Sequence, residues 1–94
     1  MNIKNVKQAG GGYFMADDGG REVGRIVYDY SGNDKFIITH TEVSPEWEGR
    51  GIGKQLVMAC VNFARENNLK IIPMCSFARE IFIRTPDIRD VLYS

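Results

Sequence analysis

The sequence predicts a mixed α+β fold: an antiparallel β-meander, then a βαβ unit, then a C-terminal helix. Three observations carry this. The first half is rich in β-branched and aromatic residues and is cut by glycine-rich turns. At Ile52 the apolar spacing changes to a helical period. That helical run separates two apolar strand-like segments, and a helical crossover joins parallel strands.

The elements follow in order. Ile3 to Gln8 reads as a first strand, diluted by lysine and asparagine. Gly10-Gly11-Gly12 is a break or bulge, after which Tyr13 to Ala16 extends that strand or pairs with the next. Asp17-Asp18-Gly19-Gly20 is a turn, Glu22 to Tyr30 a strand, and Ser31 to Asp34 another turn. Phe36 to Val43 is the clearest strand. Strict alternation puts Phe36, Ile38, His40 and Glu42 on one face and Ile37, Thr39, Thr41 and Val43 on the other. Ile52, Leu56, Ala59, Cys60, Phe63 and Ala64 mark a helix from about Gly51 to Asn67, ended by Asn67-Asn68. Leu69 to Met74 is a short buried strand, with Pro73 near its end suited to an edge or to a place where pairing stops. A second helix spans Phe77 to about Arg84 and is stopped by Thr85-Pro86. The tail from Ile88 to Tyr93 forms a short turn or helix that packs Val91 and Leu92.

Size and charge limit the function. The 94 residues suffice for one domain, 1–94, with one modest core. Twelve basic and twelve acidic side chains balance, so no basic footprint for nucleic acid is present. No long apolar run suggests a signal core or a bilayer span, and the expectation is a cytoplasmic protein, monomeric or weakly dimeric, away from membranes. Cys60 and Cys75 form no CxxC pair, and with His40 as the one histidine no zinc set is complete. Two free thiols and no metal are expected.

The most informative stretch is Glu48-Gly49-Arg50-Gly51-Ile52-Gly53-Lys54, between a strand and a helix. It is not a Walker loop, because Gly53-Lys54 is followed by Gln55 and the spacing is wrong. It is not the dinucleotide fingerprint, because Leu56 stands where the third glycine belongs. Yet three glycines within five residues are costly at a helix start unless something uses the backbone there. Arg50 and Lys54 put positive charge beside those amides. The loop reads as a diphosphate cradle, against the plainer reading of a glycine-shaped connection.

Three segments in order, His40-Thr41-Glu42-Val43, then Gly49-Arg50-Gly51-Ile52-Gly53-Lys54-Gln55-Leu56-Val57, then Lys70 to Phe77, resemble a minimal subfamily of the GNAT acetyltransferases. The resemblance covers roughly Ile38 to Pro86. It implies a GNAT-like acyl-CoA N-acyltransferase core with acetyl-CoA as co-substrate and an amine as acceptor. The loop Gly49, Arg50, Gly51, Ile52, Gly53, Lys54 would hold the CoA pyrophosphate, and the backbone near Val43 would bind the acetyl carbonyl. There are departures. Glu48 stands where the superfamily has Gln or Arg, so it would contribute only its backbone. Phe77 is the nearest aromatic to the position of the superfamily's general-acid tyrosine and has no hydroxyl. The usual N-terminal helices, which help form the acceptor site, are missing.

Cys75 lies past the second of the parallel strands, at a helix N-terminus, where the anionic form of a thiol is favoured. It can act as proton donor to departing CoA, as acyl carrier, or as a packing residue; direct transfer with Cys75 as acid or site-lining group is preferred, because no dedicated base accompanies it. His40 is either a structural histidine on the face of Phe36 and Ile38 or a base, and Glu42 is a comparable candidate base. Trp47 reads as a packing lid, and Cys60 as packing. The rival reading is a non-catalytic acyl-CoA-binding module; a generic nucleotide-phosphate binder is the third.

Overall fold

The turn chemistry sets the meander. In the computed structural model, which describes residues 1–93, the Asp17 carboxylate accepts a hydrogen bond from the Gly20 amide at 3.2 Å and closes one hairpin. Strands β1 (Asn2–Gln8), β2 (Gly11–Asp18), β3 (Arg21–Ser31) and β4 (Lys35–Val43) pair antiparallel in sequence order. Helix α1 (Ile52–Asn67) crosses over and β5 (Lys70–Pro73) pairs parallel to β4. The expected parallel pair is therefore present. The expected break at Gly10–Gly12 is a tight turn after Gln8, and β2 is a full strand between β1 and β3. A Cβ on Gly11 would lie 2.2 Å from the Tyr28 carbonyl, so this position admits only glycine.

One face of the sheet meets the helical stripe. Ile52, Leu56, Val57, Cys60, Val61 and Ala64 of α1 are buried against Phe14, Ala16, Ile26, Tyr28, Phe36 and Ile38. Each Ile, Leu, Val and Phe among them contributes about 1.5–3 kcal/mol on burial. Phe14, Tyr28, Phe36 and Phe63 form an aromatic cluster, and the Tyr28 hydroxyl donates to Asn5 Oδ1 at 2.8 Å. Asn68 takes the left-handed conformation that ends α1. Helix α2 (Ser76–Arg84) follows β5 and ends before Pro86. The tail is a 3-10 helix, Pro86–Val91, whose Ile88 and Val91 are buried. Arg65 on α1 clamps it through both oxygens of Asp90, at 2.7 and 3.1 Å.

Alternation fails at one residue of β4. Val27 pairs with His40 while Tyr28 pairs with Ile38, leaving Thr39 unpaired in a β-bulge. Beyond it the phase reverses. Thr41 pairs with Ile26 and Val43 with Gly24, both facing α1, whereas His40 and Glu42 emerge on the other face. The expected shared face of Phe36, Ile38, His40 and Glu42 is thus corrected: His40 is exposed, not a core histidine, because the extra residue flips every side chain after it. That opposite face also carries Val6, Tyr13, Met15 and Val27, half-buried and outside the core cluster.

Candidate functional site

The site begins where a ladder runs out. Pairing between β4 and β5 ends at Ile38 and Pro73. Proline has no amide to offer, and the Met74 and Cys75 amides both turn back to the Ile38 carbonyl, at 3.0 and 3.3 Å. From Thr39 onward the two strands part. Across the gap, among the described residues, stands one side-chain bond, Thr41 Oγ1 to Cys75 Sγ at 3.3 Å. Cys75 is also the N-cap of α2, its sulfur accepting from the Ala78 amide at 3.4 Å. The half-buried thiol therefore has two polar partners, unlike Cys60, whose burial pushes its thiol well above the ordinary range.

A cleft of about 410 Å3 leads from this gap to the glycine loop. Thr41, Val43, Ile52, Phe77 and Ile81 give it apolar walls, with Trp47 and Glu48 at the loop end. The Trp47 ring carries the Arg50 guanidinium, 4.7 Å from its centroid, so it is both a wall and a seat for that cation. The Glu48 side chain is exposed at the rim.

The three loop glycines divide by physics. Gly49 and Gly51 have φ of +77° and +79°, which favour glycine, and their Cβ positions meet open space. Gly53 is ordinary helix, but a Cβ there would lie 2.5 Å from Phe77 Cζ. It is glycine because α2 packs on it. As N-cap, Gly51 offers no side chain to the free amides of Ile52, Gly53 and Lys54, and no acidic residue lies in the first turn. Arg50 and Lys54 reverse the charge a helix N-terminus prefers. Free amides, flanking cations and room for close approach fit a diphosphate.

His40 and Glu42 stand on the far side of β4. Their side chains hydrogen-bond at 3.0 Å and are 61% and 64% exposed. Arg25, paired with Glu42 across the strands, lies over the Tyr13 ring and is held charged by Glu22. So the structure brings Val43, Gly49, Gly51, Ile52, Gly53, Lys54 and Phe77 to one cleft, seats Arg50 on its Trp47 wall, sets Cys75 beside its Thr41 wall, and turns the His40 and Glu42 side chains to the far side of β4, although Glu42 also borders the cleft. Thr41 was not singled out from sequence, because alternation placed it on the wrong face.

The profile of the GCN5-related N-acetyl-transferase family matches residues 12–91. The chain belongs to that family. Its fold follows that of a GCN5-like protein from Staphylococcus aureus, 38% identical, with a TM-score of 0.76 over 99% of this chain and 88% of that one. A GNAT family acetyltransferase from Elizabethkingia anophelis, solved with acetyl-CoA bound, has the same fold at 18% identity and a TM-score of 0.66, over 81% of this chain and 52% of that one. Protein NATD1 of Xenopus tropicalis is 33% identical over 61 residues, 65% of this chain. That match spans 56% of the relative, so the chain aligns with about half of its length. The mixed α+β, GNAT-like fold read from the sequence is the fold observed.

Proposed function

We propose that this chain is an acetyl-CoA-dependent N-acetyltransferase acting on a small amine or a protein lysine. The observation that carries this is one continuous cleft. It starts at the uncapped N-terminus of α1 and ends where β4 and β5 part, beside Thr41 and Cys75. In this reading the amides after Gly51 hold the CoA diphosphate, with Arg50 and Lys54 adding charge. The acetyl carbonyl lies against the Val43 backbone, whose amide stabilises the developing oxyanion. A neutral amine attacks the carbonyl carbon, the C–S bond breaks, and the Cys75 thiol gives its proton to the departing CoA sulfur. The amine enters the gap between β4 and β5 from the open side of β4, where the His40–Glu42 pair accepts the proton it loses.

Turnover of acetyl-CoA over an amine panel, followed as released thiol, tests the reading. Turnover that falls in Cys75→Ala supports it. Absence of binding to CoA or acetyl-CoA at about millimolar ligand, a weak-binding limit, sinks it. A second reading, a non-catalytic acyl-CoA-binding module, is favoured by Phe77, which has no hydroxyl, and by a sheet face without a covering helix among the described residues. Binding without turnover selects it. ATP competing as well as CoA selects a general nucleotide-phosphate site.

A further inference from the structure

The bond between Thr41 and Cys75 is the one side-chain hydrogen bond between β4 and the segment after β5 among the described residues. Backbone pairing has already ended at Ile38. Thr41 reaches it only because the Thr39 bulge turns Thr41 inward. The same residue lines the cleft, so Thr41 joins the thiol to the wall of the space that leads to the loop. The Cys75 sulfur accepts the Ala78 amide on its other side.

We infer that Thr41 is a positioning residue for Cys75, a hydrogen-bond partner that accepts the thiol's proton when Cys75 is protonated and donates to the sulfur when it is a thiolate. This deepens the proposed transfer reaction and rests on it for its purpose, though not for its test. The hydroxyl is suited to both states because it holds one donor and two acceptor sites. In the thiol state S–H points to Thr41 Oγ1 while the Ala78 N–H donates to sulfur. After the proton leaves for the CoA sulfur, rotation of the Thr41 hydroxyl gives the new thiolate two donors, Thr41 O–H and Ala78 N–H. Water then returns the proton to Cys75. No bond to carbon forms at the sulfur, and no oxidant is needed.

The test is alkylation of the native chain by iodoacetamide, read by intact mass without acetyl-CoA present. Thr41→Val keeps the shape and removes the hydroxyl. It should slow alkylation of Cys75 by about three- to tenfold, since a hydrogen bond to a charged group is lost while the less stabilised thiolate regains some nucleophilicity. Thr41→Ser should restore the rate to within about twofold, because it returns the same donor. Circular dichroism checks each fold, and Thr41→Ala replaces the valine variant should that one unfold. Alkylation of Thr41→Val at the wild-type rate, or failure of Thr41→Ser to rescue it, overturns the assignment. If alkylation behaves as expected but no amine is acetylated, the assignment stands and the transferase reading falls. If turnover proceeds with alkylation indifferent to Thr41, the reverse holds.

Discussion

Replacing Gly53 by alanine separates stability from ligand binding. The new Cβ would sit 2.5 Å from Phe77 Cζ and 2.8 Å from Cε2, so one group must move. The helix backbone of α1 is fixed by its buried stripe, whereas Phe77 is 42% exposed and can swing outward. Two terms oppose each other. Alanine in place of glycine within a helix stabilises by up to about 1 kcal/mol. Full burial of a phenylalanine is worth about 1.5–3 kcal/mol, and giving up part of what Phe77 buries costs about 1 kcal/mol. The net change in stability is close to zero, and Tm moves by less than about 4–8 °C, the shift that ~1 kcal/mol produces in a domain of this size. The cleft does not escape, because Gly53 and Phe77 both line it. A displaced ring and an added methyl beside the loop amides should weaken acetyl-CoA about tenfold, or ~1.4 kcal/mol. Calorimetric unfolding and isothermal titration give the two numbers. Gly53→Ala combined with Phe77→Ala should be non-additive, since the residues touch. Wild-type affinity in Gly53→Ala, or a loss of several kcal/mol in stability, would refute the argument that Gly53 is a packing glycine beside the ligand.

Gly51→Ala forces a side chain into the left-handed region and should cost about 1–2 kcal/mol in denaturant unfolding, an intrinsic strain that applies with or without ligand. Native iodoacetamide treatment should add one group, at Cys75; Cys60, fully buried with its thiol pushed up by desolvation, should react only in denaturant, as intact mass will show. Arg65 holds the Asp90 carboxyl below the usual carboxylate range. The unfolded chain therefore takes up that proton more readily, and the stability this pair supplies is present at neutral pH and lost as the pH falls through the carboxylate range. Asp90→Asn should lower the urea midpoint at pH ~7, and its difference from the wild type should shrink as the pH falls through the carboxylate range.

Much of the fold was legible because local signals agreed with one another. Helical spacing from Ile52 to Ala64, Asn67-Asn68 at its end and Pro86 after α2 all point the same way. The parallel pair followed from the helical crossover alone. The bulge at Thr39 was not legible. Phe36 and Ile38 continue into His40 and Glu42 as a plausible alternating strand, and nothing in Thr39 itself announces that β3 will skip it. That one omission hid Thr41 and misplaced His40. The loop was readable as a phosphate cradle, but its glycines looked alike. Only the position of Phe77 shows that Gly53 serves helix packing, while Gly49 and Gly51 serve the turn.

The bulge has a mutational consequence. Thr41 and Val43 face the cleft, and His40 and Glu42 the open side, because the bulge absorbs Thr39 without a partner. Deleting Thr39 would close the bulge and leave the pairs beyond it as they are, His40 with Val27 and Thr41 with Ile26, so both sets would keep their faces. Pairing Thr39 with Val27 would instead slip β4 by one residue and exchange the two sets at once, carrying a carboxylate and an imidazole inward while taking the thiol's partner out. Drift in this chain can therefore tune either side of β4 one residue at a time, but the exchange of one side for the other requires a slip of register.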